Sequence, residues 1–179
     1  MKIGIITDTH WTARKSSRHL HDYFQKFYDD VFFPTLEAEG IDTVIHMGDA
    51  FDSRKSIDLW GFEWTKKVVL DPLKKYKVHM IIGNHDTYFK DSNSVNSPEL
   101  LLQNYSNIKT YSSPTNTKVG DTNMTFIPWI CSGNYNCTYP NPHLRLNTKT
   151  PQLSNLIRHK KDDTSLNLRR ITSDNQIEK

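Results

Sequence analysis

The chain opens with KIGIITDTH (residues 2–10), a short apolar run that stops abruptly at polar residues. Two further stretches repeat the pattern, DTVIHMGDAFD (residues 42–52) and VHMIIGNHD (residues 78–86). A short apolar run without helical spacing is typical of a strand buried on both faces. The pattern therefore predicts three buried strands, each ending in a polar cluster.

Segments with helical periodicity separate these strands. Apolar residues recur at helical spacing over residues 20–36, with Ser16 or Ser17 available as the N-cap. Pro34 is expected to end or kink this helix, because proline lacks the N–H that a helix interior uses. A second helix is predicted over residues 58–74. Strands that alternate with helices in this way predict an α/β fold with a parallel sheet.

The pattern changes after the third strand and then fades. A short helix is predicted near residues 98–104, and antiparallel strands are predicted at 108–111, 117–120 and 124–127. Beyond Cys137 we find no convincing periodicity. The chain is therefore divided into a domain at residues 1–137 and a polar, basic tail at residues 138–179, which is expected to be poorly ordered.

Composition indicates a globular protein of the cell interior. Of the 179 residues, 36% are apolar and 24% are charged. Two cysteines are too few for a disulfide framework, which favours a reducing compartment. We see no secretory signal and no apolar run near the roughly 18 residues that cross a bilayer. A soluble, cytoplasmic protein without membrane contact is predicted.

The net charge of +3 originates in the tail. Residues 139–179 hold eight Lys/Arg and four Asp/Glu, a net +4, whereas residues 1–138 hold 15 and 16, a net −1. A basic tail can bind nucleic acid through phosphates. A solvated, disordered tail is the favoured interpretation, because only 10 of its 41 residues are apolar.

The three polar clusters are expected to meet, because the carboxyl ends of parallel strands lie at one edge of a sheet. Their oxygen and imidazole donors suit manganese, iron or zinc, and the lack of thiolates argues against a structural zinc site. Asp8 and His10 can hold one ion. Asp49 can bridge two ions through its two oxygens, and Asn84 offers a carbonyl oxygen to the second. Each cluster alone is weak evidence, and their joint order makes the prediction.

Together, D-x-H, G-D-x-x-D and G-N-H-D resemble the calcineurin-like metallophosphoesterase superfamily. FDSRK (residues 51–55) and FIPWIC (residues 126–131) are similar to the SbcD-type DNA-repair nucleases, above all to the recombination endonuclease subunits of T-even-like tailed phages. The resemblance runs to about residue 136. It implies a β-sandwich flanked by helices, two divalent ions with manganese favoured, hydrolysis of DNA, and an SbcC-like coiled-coil ATPase as partner.

The resemblance also implies roles for individual residues. Four would be metal ligands: Asp8, His10, Asp49 as the bridge, and Asn84. His85 would protonate the leaving oxygen or steady the transition state, with Asp86 holding its ring. Asp52 would orient local groups without touching metal. Four basic residues beside the motifs are candidates for gripping DNA phosphates, although solvation explains each nearly as well: Arg14, Arg18, Arg54 and Lys55.

The family pattern breaks in the tail. Members complete the site with three further histidines, in a Gly-His pair and a later Gly-His-x-His, and this sequence has neither motif. After residue 136 only His143 and His159 remain, with no glycine before them and no predicted strand to hold them. The second sheet is therefore expected to be incomplete. The composition suggests a truncated, spliced or frame-shifted product, unless another chain supplies the rest.

Three functions stay open. The leading hypothesis is a manganese-dependent DNA nuclease subunit of a phage recombination and repair complex in the host cytoplasm, with a homodimer not excluded. The second is another phosphoesterase of the same superfamily, acting on a small molecule or a protein. The third is a non-catalytic remnant that binds DNA or the ATPase.

The remaining rings are interpreted structurally. His46 is expected to turn away from the metals as a hydrogen-bonded core residue, and His79 to lie on a strand edge. His19 and His21 are expected on a helix surface. Trp60 and Trp64 are interpreted as core residues, and both cysteines as free thiols.

Overall fold

The main sheet of the protein has five strands that all run in parallel. In a computed structural model that describes residues 1–138, 158–159 and 168–170, their spatial order is β4-β3-β2-β1-β8. The five strands are β1 (Ile3–Ile6), β2 (Thr43–His46), β3 (Lys77–Ile81), β4 (Ile108–Tyr111) and β8 (Leu168–Arg170). The predicted parallel sheet is confirmed.

A smaller antiparallel sheet forms the second layer. It contains β5 (Thr115–Val119), β6 (Thr122–Phe126) and β7 (Arg158–His159), with β6 in the middle. The two-layer α/β architecture that the resemblance implied is therefore found.

Two sequence predictions about strands were wrong. The segment at residues 108–111 was expected to be antiparallel, but β4 pairs in parallel with β3. No strand was expected beyond Cys137, yet β7 and β8 extend both sheets. Most of the segment at 138–179, including His143 and the side chain of His159, lies outside the described residues.

The strands of the main sheet alternate between two cores. Even-numbered residues such as Ile6, Val44 and Met80 pack with the helices, and their odd-numbered neighbours face the second sheet. The inter-sheet core combines residues from both layers: Ile3, Ile45, Ile81, Tyr111, Val119, Met124 and Phe126. Burial on both faces explains why these strands read as uninterrupted apolar runs.

The first helical segment passes through its proline without ending. It consists of α2 (Arg18–Phe27), a π-helical turn (Tyr28–Phe32) and α3 (Phe33–Ala38). The N–H of Phe33 donates to the carbonyl of Tyr28, five residues back. This shifted hydrogen-bond ladder lets the helix accept Pro34 near the start of its next α-helical part. Of the two expectations for Pro34, an end or a kink, the end is wrong: the helix continues through a π-helical turn directly before the proline.

The second helical segment also accommodates a proline by means of a π-helical turn. It consists of α4 (Leu59–Thr65), a π-helical turn (Lys66–Leu70) and α5 (Asp71–Leu73), and Asp71 donates to the carbonyl of Lys66 directly before Pro72. The helix begins as the sequence predicted, because the Asp58 side chain accepts from the N–H of Gly61 at 2.9 Å.

Three shorter elements complete the description. The turn α1 (Ala13–Ser16) follows the first polar cluster, α6 (Ser97–Leu101) follows the third, and α7 (Tyr135–Thr138) follows the second sheet. In the part of the chain that the structure describes, every helix is too short or too polar to cross a membrane.

Candidate active site

The three strand-end clusters meet at the carboxyl edge of the main sheet. Strands β1, β2 and β3 end nearly level, with Ile6 beside His46 and His46 beside Met80. Beyond the strands, backbone hydrogen bonds of 3.1 Å continue from Asp8 to Gly48 and from His10 to Asp49. Main-chain hydrogen bonds therefore connect the first two polar clusters.

Three of the predicted ligands have a left-handed backbone. The φ angles are 51° at Asp8, 41° at His10 and 53° at Asp49. Residues other than glycine adopt a left-handed backbone at a cost of order 1 kcal/mol or more each. Such residues cluster at functional sites. The strain turns the side chains at the strand ends toward a common point.

Two glycines permit the close approach of the second and third clusters. Gly48 has φ +94°, and a Cβ there would lie 2.8 Å from both the Cα and the N of Gly83. A Cβ at Gly83 would in turn overlap the backbone and carboxylate of Asp49. Both positions therefore need glycine for steric reasons.

The side chains form a cluster that fits a divalent cation. Ligand atoms of Asp8, His10 and Asp49 all lie within 4.8 Å of one another, and those of His10, Asp52 and His85 form a second such group. The Nδ1 of His10 is buried without a hydrogen-bond partner. It lies 3.5 Å from Asp52 Oδ1, close enough for an ion pair but outside hydrogen-bond geometry. An unpaired imidazole nitrogen beside carboxylates is what a cation site requires.

His85 is held in one orientation and one tautomer. Its backbone N–H donates to Asp49 Oδ1 at 2.8 Å, and its Nδ1 lies 2.8 Å from the carbonyl of Asp52. A carbonyl only accepts, so Nδ1 carries a proton that stays engaged with Asp52, and Nε2 is the ring nitrogen that can exchange a proton with a substrate. The ring packs edge-on against His10, with centroids 4.9 Å apart. The main-chain carbonyl of Asp52 thus orients His85, while its carboxylate belongs to the second candidate cation group.

Asp86 does not hold the ring of His85, contrary to the prediction. Its carboxylate is buried and accepts from the backbone N–H groups of Gly83 at 2.9 Å and Phe51 at 3.1 Å. Burial raises the pKa of Asp86 to about 7, opposed by these hydrogen bonds. Asp86 therefore ties the third cluster to the second, because the chain turns its side chain inward. Asn84, the fourth predicted ligand, is half-buried in the same turn.

His46 supports the site from below. It is 2% exposed, its Nδ1 accepts from the N–H of Gly48 at 3.2 Å, and its Nε2 lies 2.9 Å from Thr9 Oγ1. Burial, together with the nearby His10, lowers the pKa of His46 to about 3. The predicted hydrogen-bonded core histidine is confirmed. Thr9 was missed, although its place between two inward-turning ligands was a usable signal.

The other predicted rings divide between core and surface. His21 was expected on a surface but is fully buried, with its ring nitrogens 2.9 Å from the carbonyl of Ser17 and 2.7 Å from that of Trp11. His79 lies on β3, inside the sheet, with Nδ1 2.6 Å from Tyr111 Oη. Trp64 is buried as expected, whereas Trp60 is 39% exposed. Cys131 is a buried free thiol.

The four predicted DNA-contacting residues differ in whether their charged groups are exposed or engaged in hydrogen bonds within the protein. Arg14 is exposed, and the Arg18 guanidinium lies 5.5 Å from the Trp60 ring. Lys55 is exposed, with its Nζ 5.9 Å from the ring of Tyr88. Arg54 instead donates through Nη1 to Thr87 Oγ1 at 2.8 Å and to the carbonyl of Phe89 at 3.1 Å. It anchors the loop after the third cluster.

A parallel sheet thus gathers Asp and His side chains into a cation-sized cluster at its carboxyl edge, an arrangement suited to metal-dependent hydrolysis. Residues 1–174 match the family model described as Calcineurin-like phosphoesterase, and the chain belongs to that family. The match extends well past residue 136, where the resemblance read from motifs ended.

The chain is also similar to a phage protein. It is 37% identical over 100 residues to a protein of Enterobacteria phage T4 named "Exonuclease subunit 1". The matched part covers 55% of this chain and 29% of the phage protein, so it spans less than a third of that relative. The relationship to phage nucleases drawn from the sequence motifs is confirmed.

Proposed function

We propose that this chain is a metal-dependent DNA nuclease subunit that hydrolyses phosphodiesters for a phage recombination and repair complex. The observation that supports it most is the cluster of Asp8, His10 and Asp49 around an unpaired imidazole nitrogen, with the oriented His85 beside it. Membership of the family supports phosphoester hydrolysis as the reaction. The similarity to a phage T4 protein named an exonuclease subunit supports a nucleic acid as the substrate.

Two divalent ions are proposed as cofactors, with manganese favoured. Asp8 and His10 would hold the first, Asp49 would bridge, and Asn84 would bind the second. Such ions supply a clamp for phosphodiester oxygens and make a bound water more acidic. Asp49 is suited to a shared position, because the N–H of His85 already fixes one of its oxygens.

His85 is proposed to serve the departing oxygen. Its Nδ1 proton is engaged by the carbonyl of Asp52, so proton exchange with substrate falls to Nε2. The partly exposed ring can reach a strand bound at the sheet edge. Asp86 contributes indirectly by fixing the backbone at Gly83 and Phe51.

The assembly follows from the same relationship. A coiled-coil ATPase of the SbcC type is the proposed partner, because the phage T4 relative is named a subunit. A homodimer, contacts of Arg14, Arg18 and Lys55 with DNA phosphates, and action in the host cytoplasm are further parts of the proposal.

Metal-dependent cleavage of linear DNA tests the function. In Mn²⁺, wild-type protein should cut the DNA, and His85→Ala should lower kcat by about 100-fold or more, the usual cost of losing a general acid. His19→Ala, on the exposed face of α2, is the matched control and should keep wild-type activity. Cleavage that persists in EDTA, or that is equal in His85→Ala and wild type, would contradict the proposal.

A non-catalytic protein is the second candidate. The sequence lacks the Gly-His and Gly-His-x-His motifs that complete the site in other family members. This candidate expects calorimetric Mn²⁺ binding that is absent or much weaker than micromolar, and no cleavage of DNA or of methyl p-nitrophenyl phosphate at any metal concentration. Cleavage of the small diester but not of DNA would instead favour a different phosphoesterase.

A further inference from the structure

The loop between the third polar cluster and α6 buries polar side chains and exposes aromatic ones. Residues 87–96 bury three polar side chains, with Thr87 at 0%, Asn93 at 6% and Asn96 at 2% exposed. The same loop exposes two aromatic rings, Tyr88 at 45% and Phe89 at 44%. The two adjacent exposed rings, on a loop whose polar side chains are buried, mark a candidate contact surface.

The loop is firmly held, so its rings are not exposed through looseness. Thr87 and Asn96 form an antiparallel bridge, and the N–H of Tyr88 donates to the carbonyl of Val95 at 2.9 Å. The Asn93 amide donates to the carbonyls of Trp129 at 2.9 Å and Ser112 at 3.3 Å. The rings are therefore presented by a fixed backbone.

Positive charge accompanies the rings. Lys55 Nζ lies 5.9 Å from the centre of the Tyr88 ring, and the Arg54 guanidinium lies beneath the loop, 5.2 Å from the Trp129 ring. Tyr88 and Phe89 meet edge to face with centroids 4.9 Å apart. An exposed ring flanked by a lysine matches the chemistry of a nucleotide, which has a flat base and a phosphate.

The position of the rings ties them to the candidate active site. Tyr88 is three residues from His85, and a cavity of about 210 Å³ is lined by both Asp86 and Tyr88 together with Arg54 and Lys55. Tyr88 therefore lines a cavity together with Asp86, the direct neighbour of His85 in the third polar cluster.

We infer that Tyr88, with Phe89 bracing it, is a stacking platform for an unpaired base of the DNA strand next to the scissile phosphate, and that Lys55 binds the adjoining phosphate. This inference rests on the proposed function. Stacking requires a base that is out of the duplex, so single-stranded or frayed DNA ends are the preferred ligand. The platform sets the register between the base and His85.

Binding of a single-stranded oligonucleotide containing 2-aminopurine tests the inference, with the full chain in EDTA to prevent cleavage. Tyr88→Ala should weaken binding about tenfold and remove the fluorescence quenching caused by stacking, since one base–aromatic stack has about that effect. Tyr88→Phe keeps the ring and should stay within twofold of wild type. Tyr23→Ala, at an exposed tyrosine on α2, is the matched control and should change neither signal.

A second measurement needs no variant. Replacing successive bases by abasic sites should weaken wild-type binding about tenfold at one position only. Uniform affinity along the strand, unchanged quenching in Tyr88→Ala, or equal losses in Tyr88→Phe and Tyr88→Ala would each overturn the platform. If wild type binds no DNA, the inference also fails.

The outcome separates the inference from the proposed function. Wild-type protein that cuts DNA in Mn²⁺ but binds it without regard to Tyr88 keeps the nuclease and loses the platform. Wild-type protein that stacks a base through Tyr88 but cuts neither DNA nor methyl p-nitrophenyl phosphate keeps the platform and loses the nuclease.

Discussion

The loops that follow β1 and β3 supply neighbouring parts of one site but are stabilised in opposite ways. The first loop, residues 7–17, has positive φ angles at five residues: Asp8, His10, Arg14, Lys15 and Ser16. The second, residues 83–96, has none among its non-glycine residues. It relies on side-chain hydrogen bonds from Asp86, Asn93 and Asn96.

The difference shows where each loop is vulnerable. A strained backbone persists only when the surroundings over-determine it. Beneath the first loop, the Trp11 ring is 1% exposed and donates to Tyr28 Oη at 2.8 Å. The first loop therefore depends on the core below it, and the second depends on its own polar side chains.

The largest effect is expected at Gly83, where the third polar cluster contacts the second. In Gly83→Ala the new Cβ overlaps the backbone and carboxylate of Asp49, neither of which can withdraw. We expect a loss of about 3 kcal/mol or more in the free energy of unfolding, measured in urea, together with loss of calorimetric Mn²⁺ binding. Gly40→Ala is the control: unlike Gly83 it lies at positive φ, and its new Cβ meets nothing within 4 Å, so it should cost only about 1 kcal/mol.

Asn96 should reveal how far the second loop depends on hydrogen bonds. It accepts from the N–H of Glu99 at 2.9 Å, so it caps α6, and its amide donates to the carbonyl of Asn93 at 2.9 Å. Asn96→Ala leaves buried groups unpaired and should cost about 3 kcal/mol in urea unfolding. Asp58→Ala removes a cap from α4 that lacks such a network and should cost about 1 kcal/mol. Equal losses would show that the network adds nothing to the cap.

His46 should make the support of the first loop sensitive to acid. Its pKa falls from 6.5 to about 3 on folding, so the unfolded chain binds the extra proton between these values. The stabilisation of the folded state by neutral His46 is fully present above about pH 6.5 and declines as pH falls toward 3. Between pH 7 and pH 5, wild type should lose about 2 kcal/mol more stability than His46→Gln. Parallel stability curves for the two proteins would refute a neutral His46 in the folded state.

The smallest effect separates strain from helix propensity. Lys15 has φ 56°, so Lys15→Gly should raise the free energy of unfolding by about 1 kcal/mol by relieving a left-handed backbone. The same change at Lys26, inside α2, should lower it by about 1 kcal/mol. Opposite signs are the test, read from thermal and urea unfolding. A loss at both positions would mean that the first loop is not strained.

The site was largely readable from sequence because its key groups follow the strands directly. Buried strands announce themselves through apolar runs, and parallel strands place their last residues at one edge, so Asp8, His10 and Asp49 could be expected to converge. The direction of a side chain within a tight turn is not encoded so simply. Asp86 follows His85 in sequence, yet it points to the amides of Gly83 and Phe51.

The remaining errors concern partners distant in the chain. Ile108–Tyr111 reads equally well as a parallel or an antiparallel strand, because direction is decided by the neighbour that the preceding segment reaches. His21 was placed on a helix surface, but Trp60 and Trp64 of α4, distant in sequence, pack against its ring. The strands beyond residue 138 are short and pair through their backbones, so apolar spacing gives no sign of them.

The pairing of β1 with β8 has a consequence for biosynthesis. Ile3 aligns with Leu168, so nearly the whole chain separates two adjacent strands. A ribosome delivers β1 well before β8, and contacts this distant in sequence form slowly. Until β8 arrives, one edge of β1 presents unpaired backbone groups to any passing strand. The nascent chain therefore exposes an aggregation-prone edge at the strand that precedes the first ligands of the site, and its need for chaperones should increase with the time taken to translate the interval.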